Sequence, residues 1–180
     1  MKRRFITEES GQVLVEMSSV ALLLCLLSLG IIDVSRAFHD VQVIKNLAAE
    51  GSNLASRGNN MTTVAGNVVS YAGTSLDLTH NGCLFITEVT NQAGTLAVTN
   101  QSSQCATTVS SKVGCVQGSQ GCQSSSPTIP SEASTALLSQ PSGSSMFVTE
   151  VFYSYTAITP LPKFLNGSIV PSQIYAVAYY

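Results

Sequence analysis

The hydrophobic pattern of this chain changes period twice along its length. From Val13 to Ile32 the residues are apolar almost without a break, and the exceptions are one carboxylate, Glu16, and the hydroxyls of Ser18, Ser19 and Ser28. As a helix this run is roughly 30 Å long, which matches the hydrocarbon thickness of a bilayer. Beyond it the pattern becomes helical rather than continuous. Val34, Ala37, Val41, Ile44 and Ala48 recur at steps of three and four, and Gly51 and Ala55 keep the register. Asp33, Arg36, Asp40, Lys45 and Glu50 fall between them, so the segment reads as an amphipathic helix with a stripe of small and branched residues. Two partners fit such a stripe: other helices, or the chain's own globular domain. Arg57-Gly58-Asn59-Asn60 predicts the stop. One helix over 12–57 follows, with 13–32 in the membrane and 33–57 outside it; from Gln12 to Ser56 it would be roughly 65–70 Å long.

After the stop the period shifts again. Met61–Gly73 predicts a short second helix and 74–82 a loop. Cys83–Thr90 and Leu96–Thr99 alternate and are rich in β-formers, and Asn91-Gln92-Ala93-Gly94 supplies turn residues between them. This is a hairpin centred near Gly94, which places Cys83 opposite Cys105 at bridging distance. Gln117–Ser145 is mostly Ser, Gln, Gly, Pro and Thr, with Ala136-Leu137-Leu138 as its apolar island, and reads as a long surface loop holding at most one helical turn. Met146–Ile158 and Ile169–Tyr180 predict two more strands, separated by Thr159-Pro160-Leu161-Pro162. The expected fold class is α+β: a long N-terminal transmembrane and amphipathic helix, then a small antiparallel sheet domain over 58–180 with one face on the outer part of that helix.

Composition narrows the function. Among 180 residues the net charge is −2 and charged residues make up 10%, so no basic surface points to nucleic acid. Cys25 lies within the apolar run and reads as a small apolar residue. Cys83, Cys105, Cys115 and Cys122 all lie in the polar half. An even number in an exported segment predicts two disulfides in an oxidising compartment, Cys83–Cys105 and Cys115–Cys122. Zinc is the competing chemistry, but the four cysteines do not form two close pairs and neither His39 nor His80 is placed to help. No metal and no cofactor is expected.

Lys2, Arg3 and Arg4 precede the apolar run and place the N-terminus in the cytoplasm, with the rest outside. A cleaved secretory signal would have a shorter apolar core, although Ser28-Leu29-Gly30 offers small residues for such a cut. A lipoprotein signal would need a small residue before its cysteine, and Leu24 precedes Cys25. No later run is long enough for a second span. Glu16 is then the unusual residue, because a carboxylate in an apolar segment costs roughly 2.5–3.5 kcal/mol at a bilayer centre and less near its edge. As a plain signal anchor, the helix would let Glu16 reach back to the headgroups.

Basic leader, Gly11, four residues, Glu16 and an apolar helix together resemble a type IV pilin-like precursor. That resemblance implies cleavage by a prepilin peptidase between Gly11 and Gln12, with residues 1–11 as a cytoplasmic leader and Glu16 as the fifth residue of the mature chain. More narrowly, Gly11-Gln12-Val13-Leu14-Val15-Glu16 and the membrane exit Gly30–Phe38 resemble a TadE-type minor pseudopilin of the tight-adherence (Flp) pilus system. The blocks Val148–Thr156, Thr159-Pro160-Leu161 and Gln173–Ala178 are similar to the family too. Here Met17, Ser18 and Ser19 follow the glutamate, where relatives often have an aromatic residue close behind it. The resemblance implies a pilus-assembly role at the bacterial inner membrane, with the C-terminal domain periplasmic or, in a pilus, at the cell surface. Implied partners are the inner membrane, the prepilin peptidase and other Flp/Tad pilins and pseudopilins; no small-molecule substrate is implied.

The alternative is a single-pass, membrane-anchored periplasmic binding protein or adhesin that is not processed as a pilin. An anchored enzyme fits the residues least. No Gly-x-Ser-x-Gly occurs, and neither histidine lies in a recognisable motif. Glu88 and Glu150 stand at equivalent places in Phe-Ile-Thr-Glu-Val and Phe-Val-Thr-Glu-Val, so a carboxylate pair on adjacent strands is conceivable. Exposed strand glutamates are the plainer reading.

Overall fold

The computed structural model describes residues 5–73, 76–114, 116–118, 121–123, 126–159 and 171–180, with the backbone alone at 5–10, 116–118 and 121–123. In chain order the elements are α1 (Phe5–Ser56), α2 (Met61–Ala72), α3 (Leu78–Asn81), β1 (Gly82–Gln92), β2 (Thr95–Cys105), β3 (Val116–Gly118), β4 (Gly121–Gln123), α4 (Ser131–Leu138), β5 (Ser145–Ser154) and β6 (Gln173–Tyr179). The fold is the expected α+β arrangement of one long N-terminal helix and a small antiparallel sheet. Two compact units divide it: Met1–Phe38 with Thr156–Pro171, and His39–Tyr155 with Ser172–Tyr180.

In the second unit the sheet order is β2-β1-β5-β6, every neighbouring pair antiparallel. The β1–β2 hairpin turns on Ala93 and Gly94, both with positive φ (52° and 89°), as a two-residue turn matched to strand twist requires. Buried Asn91 braces this turn. Its Oδ1 accepts the Gly94 amide and its Nδ2 donates to the Gln140 carbonyl. From the turn outward Gln92 faces Thr95, but the register slips between Glu88 and Val89. The extra residue, Thr99, is a β-bulge. Without it Cys83 would face Gln104; with it Cys83 faces Cys105, and the two are joined by a disulfide.

Helix α1 packs on one face of the sheet through its outer turns, where Ile44, Ala48, Ser52 and Ala55 are fully buried. Gly51 is required here: a Cβ at this position would lie 2.9 Å from Thr149 Cγ2. The Ser52 hydroxyl donates to the Ala178 carbonyl on β6 and accepts the Thr149 amide on β5, so one side chain ties the helix to two strands. The outer stripe therefore packs on the chain's own domain, as one of the two expected partners required. Asp33 and Asp40, expected on the polar side of the helix, are buried instead, and Val34 and Val41 are half-buried.

The other face of the sheet is covered as well. Val89, Val98 and Val148 meet Val113 and Leu137, while Cys83, Phe85 and Phe152 meet Val109 and Tyr175. Leu137 belongs to α4, a helix of eight residues within the stretch expected to be a loop, Gln117–Ser145; the β3–β4 strands lie there too. Ala136-Leu137-Leu138 was the signal for it. Its polar Ser and Thr side chains fold back onto helix carbonyls, as Ser134 does to Pro130 and Thr135 to Ser131. The remaining boundaries moved by a few residues. A short helix, α3, occupies part of the expected 74–82 loop; β5 ends at Ser154 rather than Ile158, and β6 begins at Gln173 after Pro171.

Candidate functional site

The N-terminal part of α1 carries the residues singled out by the sequence. Gly11 lies inside the helix, not at its end. A Cβ there would meet nothing within 4 Å, so neither packing nor a positive φ demands glycine. A glycine inside a helix costs about 1 kcal/mol relative to alanine. One turn on, the Gln12 Nε2 donates to Glu16 Oε1 at 3.2 Å. The second carboxylate oxygen of Glu16 has no hydrogen-bond partner among the described residues, and the side chain stands on an exposed helix surface. Around it Val13, Leu14, Val15 and Met17 are more than half exposed. The hydroxyls of Ser18, Ser19 and Ser28 each donate to a carbonyl three residues back. That satisfies polar groups in an apolar run without a partner from outside. By length and composition α1 can cross a membrane, with an 18-residue window of mean hydropathy 2.2.

One residue past the apolar run, the structure places a second carboxylate, in the opposite state. Asp33 is 4% exposed and gathers three donors from the same unit. Its Oδ1 accepts the amides of Ile158 at 3.2 Å and Thr159 at 3.3 Å, and its Oδ2 accepts the Thr159 hydroxyl. The Thr159 hydroxyl above all, then the two amides and Arg36, hold the Asp33 carboxyl below the usual carboxylate range against the opposing effect of burial. Sequence reasoning missed this clamp. Its only local signal was a charge one residue away from a stripe position.

A third carboxylate, Glu150, is fully buried, not exposed as the plainer reading had it. Its Oε1 accepts the Lys112 amide at 2.9 Å and the Tyr175 hydroxyl at 3.0 Å, and its Oε2 accepts the Ser111 hydroxyl. The Lys112 ammonium lies over the Tyr175 ring, 3.8 Å from its centroid. Burial first, and the charge of Glu150 next, push the Tyr175 hydroxyl far above its ordinary value. The conceivable Glu88–Glu150 pair does not form. Glu150 faces Phe85 across the ladder and Glu88 faces Phe147; the two rungs are an odd step of three residues apart along β1, so the two carboxylates point to opposite faces. Of the cysteines, Cys83 and Cys105 are bridged and Cys25 is free and exposed. Cys115 and the Cys122 side chain, with their expected disulfide, lie outside the described residues. No group of His, Cys, Asp or Glu among the described residues could hold a metal ion.

Comparison with known proteins bears on residues 11–53 alone. No curated protein and no solved structure matches the chain. The model of the TadE-like protein family matches residues 11–53. That match opens on Gly11, takes in Glu16, Asp33 and the outer stripe as far as Ser52, and ends at Asn53, before the sheet begins. Residues 11–53 are thus similar to the TadE-like family of the Tad (Flp) pilus system.

Proposed function

We propose that this chain is a minor pseudopilin, cut by a prepilin peptidase between Gly11 and Gln12 and assembled through the exposed part of α1. The observation that carries the reading is the division of labour along one helix. The outer stripe is occupied by the chain's own sheet, which leaves the apolar surface around Glu16 as the part of α1 open to lipid and to other helices.

Gly11 supports the cut. The fold does not need it, it weakens the helix locally, and a chain that lacks a side chain there is easier to unwind into a peptidase site. Once cut, Gln12 carries a free amine with a reference pKa near 7.7–8.0, mostly protonated at neutral pH. The amine of a neighbouring subunit can approach the unbonded oxygen of Glu16, while the Gln12 side chain of the same subunit holds the other. In low dielectric an unpaired charge is heavily penalised, so a stagger that pairs amine with carboxylate is favoured and register is selected with affinity. On this reading the prepilin peptidase and other pilins are the partners, the anchor lies in the inner membrane with its N-terminus cytoplasmic, and the sheet domain is periplasmic.

The test is N-terminal sequencing of protein extracted from membranes of a host with an active prepilin peptidase. The sequence should begin at Gln12, and Gly11→Val should leave a precursor that retains residues 1–11. Wild-type protein that keeps Met1–Gly11 in such a host contradicts the proposal.

A further inference from the structure

Between the α1–α2 turn and the helix-covered face of the sheet lies a cleft of about 320 Å3, within the second unit. Its floor is a single rung of the ladder. Asn100 on β2 faces Glu88 on β1, and Glu88 faces Phe147 on β5, so an amide, a carboxylate and an aromatic ring stand side by side on one face. Asn59, Asn60 and Ser102 complete the polar wall.

The hydrogen bonds already made fix what each group has left to offer. Asn59 donates its Nδ2 to the Leu54 carbonyl, which leaves Oδ1 as an acceptor. Asn60 caps α2 with its Oδ1, which takes the amides of Thr62 and Thr63 and leaves Nδ2 as a donor. Glu88 accepts the Ser145 hydroxyl on Oε1 and keeps Oε2. The Asn100 side-chain amide makes no hydrogen bond to a described residue. The cleft thus presents both free donors and free acceptors, with no lysine or arginine among its lining residues.

That set selects a ligand chemistry. The absence of a cation and the presence of a carboxylate disfavour anions. A single carboxylate among amides is a poor cage for a divalent cation, which needs six or more oxygens for calcium. Vicinal hydroxyls, each at once donor and acceptor, fit this mixed set, and a ring's C–H face fits an aromatic side chain. We propose that the cleft binds a neutral saccharide of one or two rings, a size in keeping with the lower end of small-ligand pockets. This does not depend on processing at Gly11 or on assembly through Glu16.

The experiment uses the full chain in lipid nanodiscs free of glycolipid, titrated with cellobiose, maltose and N,N′-diacetylchitobiose by calorimetry and by ligand-observed NMR. At least one disaccharide should bind with a dissociation constant at or below about 10 mM. Asn100→Ala should weaken it about tenfold and Glu88→Gln by roughly 10- to 100-fold, the loss of a neutral and of a charged hydrogen bond respectively. Both residues are partly or wholly exposed, so thermal melts should stay at the wild-type value and separate lost binding from lost folding. Phe147→Leu should remove the ring-current shifts of the bound sugar's C–H protons. Absence of binding by all three sugars, affinity unmoved by both polar substitutions, or tighter binding of tetra-alanine than of any sugar would each overturn the assignment.

Discussion

Glu16 and Asp33 sit on the same helix, some five turns apart, and are bonded in opposite ways. Asp33 is enclosed, and three donors from Ile158 and Thr159 satisfy it inside its own unit. Glu16 stands on an exposed apolar surface with one oxygen bonded to the neighbouring Gln12 amide and the other unbonded. A carboxylate satisfied by its own chain is there to hold the fold, because removing it strands buried donors. One left open in an apolar run costs insertion energy and returns nothing to the monomer, so its use must be sought between molecules. Glu150 belongs with Asp33. It is the most enclosed of the three and links the segment around Lys112 to β5 and β6.

The comparison breaks first, and most visibly, at Glu150. Glu150→Ala leaves the Lys112 amide, the Ser111 hydroxyl and the Tyr175 hydroxyl without their acceptor in a closed core. The expected loss is about 3–5 kcal/mol, or a melting temperature lower by roughly 10 °C, measured by calorimetry on the purified chain. A loss below about 1 kcal/mol would show that the buried network is dispensable. At Asp33 the effect should be local. Asp33→Ala should lower the hydrogen-exchange protection of the Ile158 and Thr159 amides by at least tenfold, since charge-assisted hydrogen bonds are lost, while amides of β1 and β5 keep theirs. Because the Asp33 carboxyl is held below its unfolded value of 3.8, the clamp contributes in full above that pH and is lost as pH falls through the lower folded value. Acid should therefore release Ile158 and Thr159 in wild type and change little in the alanine variant.

A smaller effect sharpens the assignment of charge to Glu150. The raised Tyr175 hydroxyl means that the folded chain keeps that proton when the unfolded chain would lose it. The associated stability is intact below about pH 10 and falls as pH rises beyond it. Glu150→Gln removes the repelling charge but not the burial, so the Tyr175 ionisation followed by NMR should move part of the way back toward 10. No movement would leave burial as the sole cause.

These regions also differ in how far the sequence disclosed them. The helix, the hairpin and the Cys83–Cys105 bridge were legible because apolar period and turn chemistry act locally. The bridge nonetheless needs the Thr99 bulge, which no local signal marked. Charge alone predicts a solvent-facing place for Asp33 and Asp40, yet both are buried. The burial of Asp33 is set by a partner distant in sequence, Thr159, which periodicity cannot see. Glu150 departs from its expected exposure for a related reason: alternation places it beside Phe152, but only the covering of both sheet faces makes that position interior. Helix α4 exceeds the single turn that its composition predicts, because its serines and threonines, weak helix formers, are satisfied by bonding back to their own helix. Gly11, Gln12 and Glu16 were legible for another reason again. Nothing in the fold explains a glycine in open space or a half-bonded carboxylate in an apolar run.

The most direct measurement is pilus assembly in a Glu16→Leu strain, read as piliation and as co-purification with partner pilins. Leucine removes a charge from an apolar helix, so insertion should be unharmed or improved, and N-terminal sequencing should still begin at Gln12. The account predicts that the processed protein accumulates in the membrane at wild-type levels while assembly is lost. Normal piliation and normal co-purification with Leu at this position would contradict it, and would make Glu16 an interfacial residue of an ordinary membrane anchor.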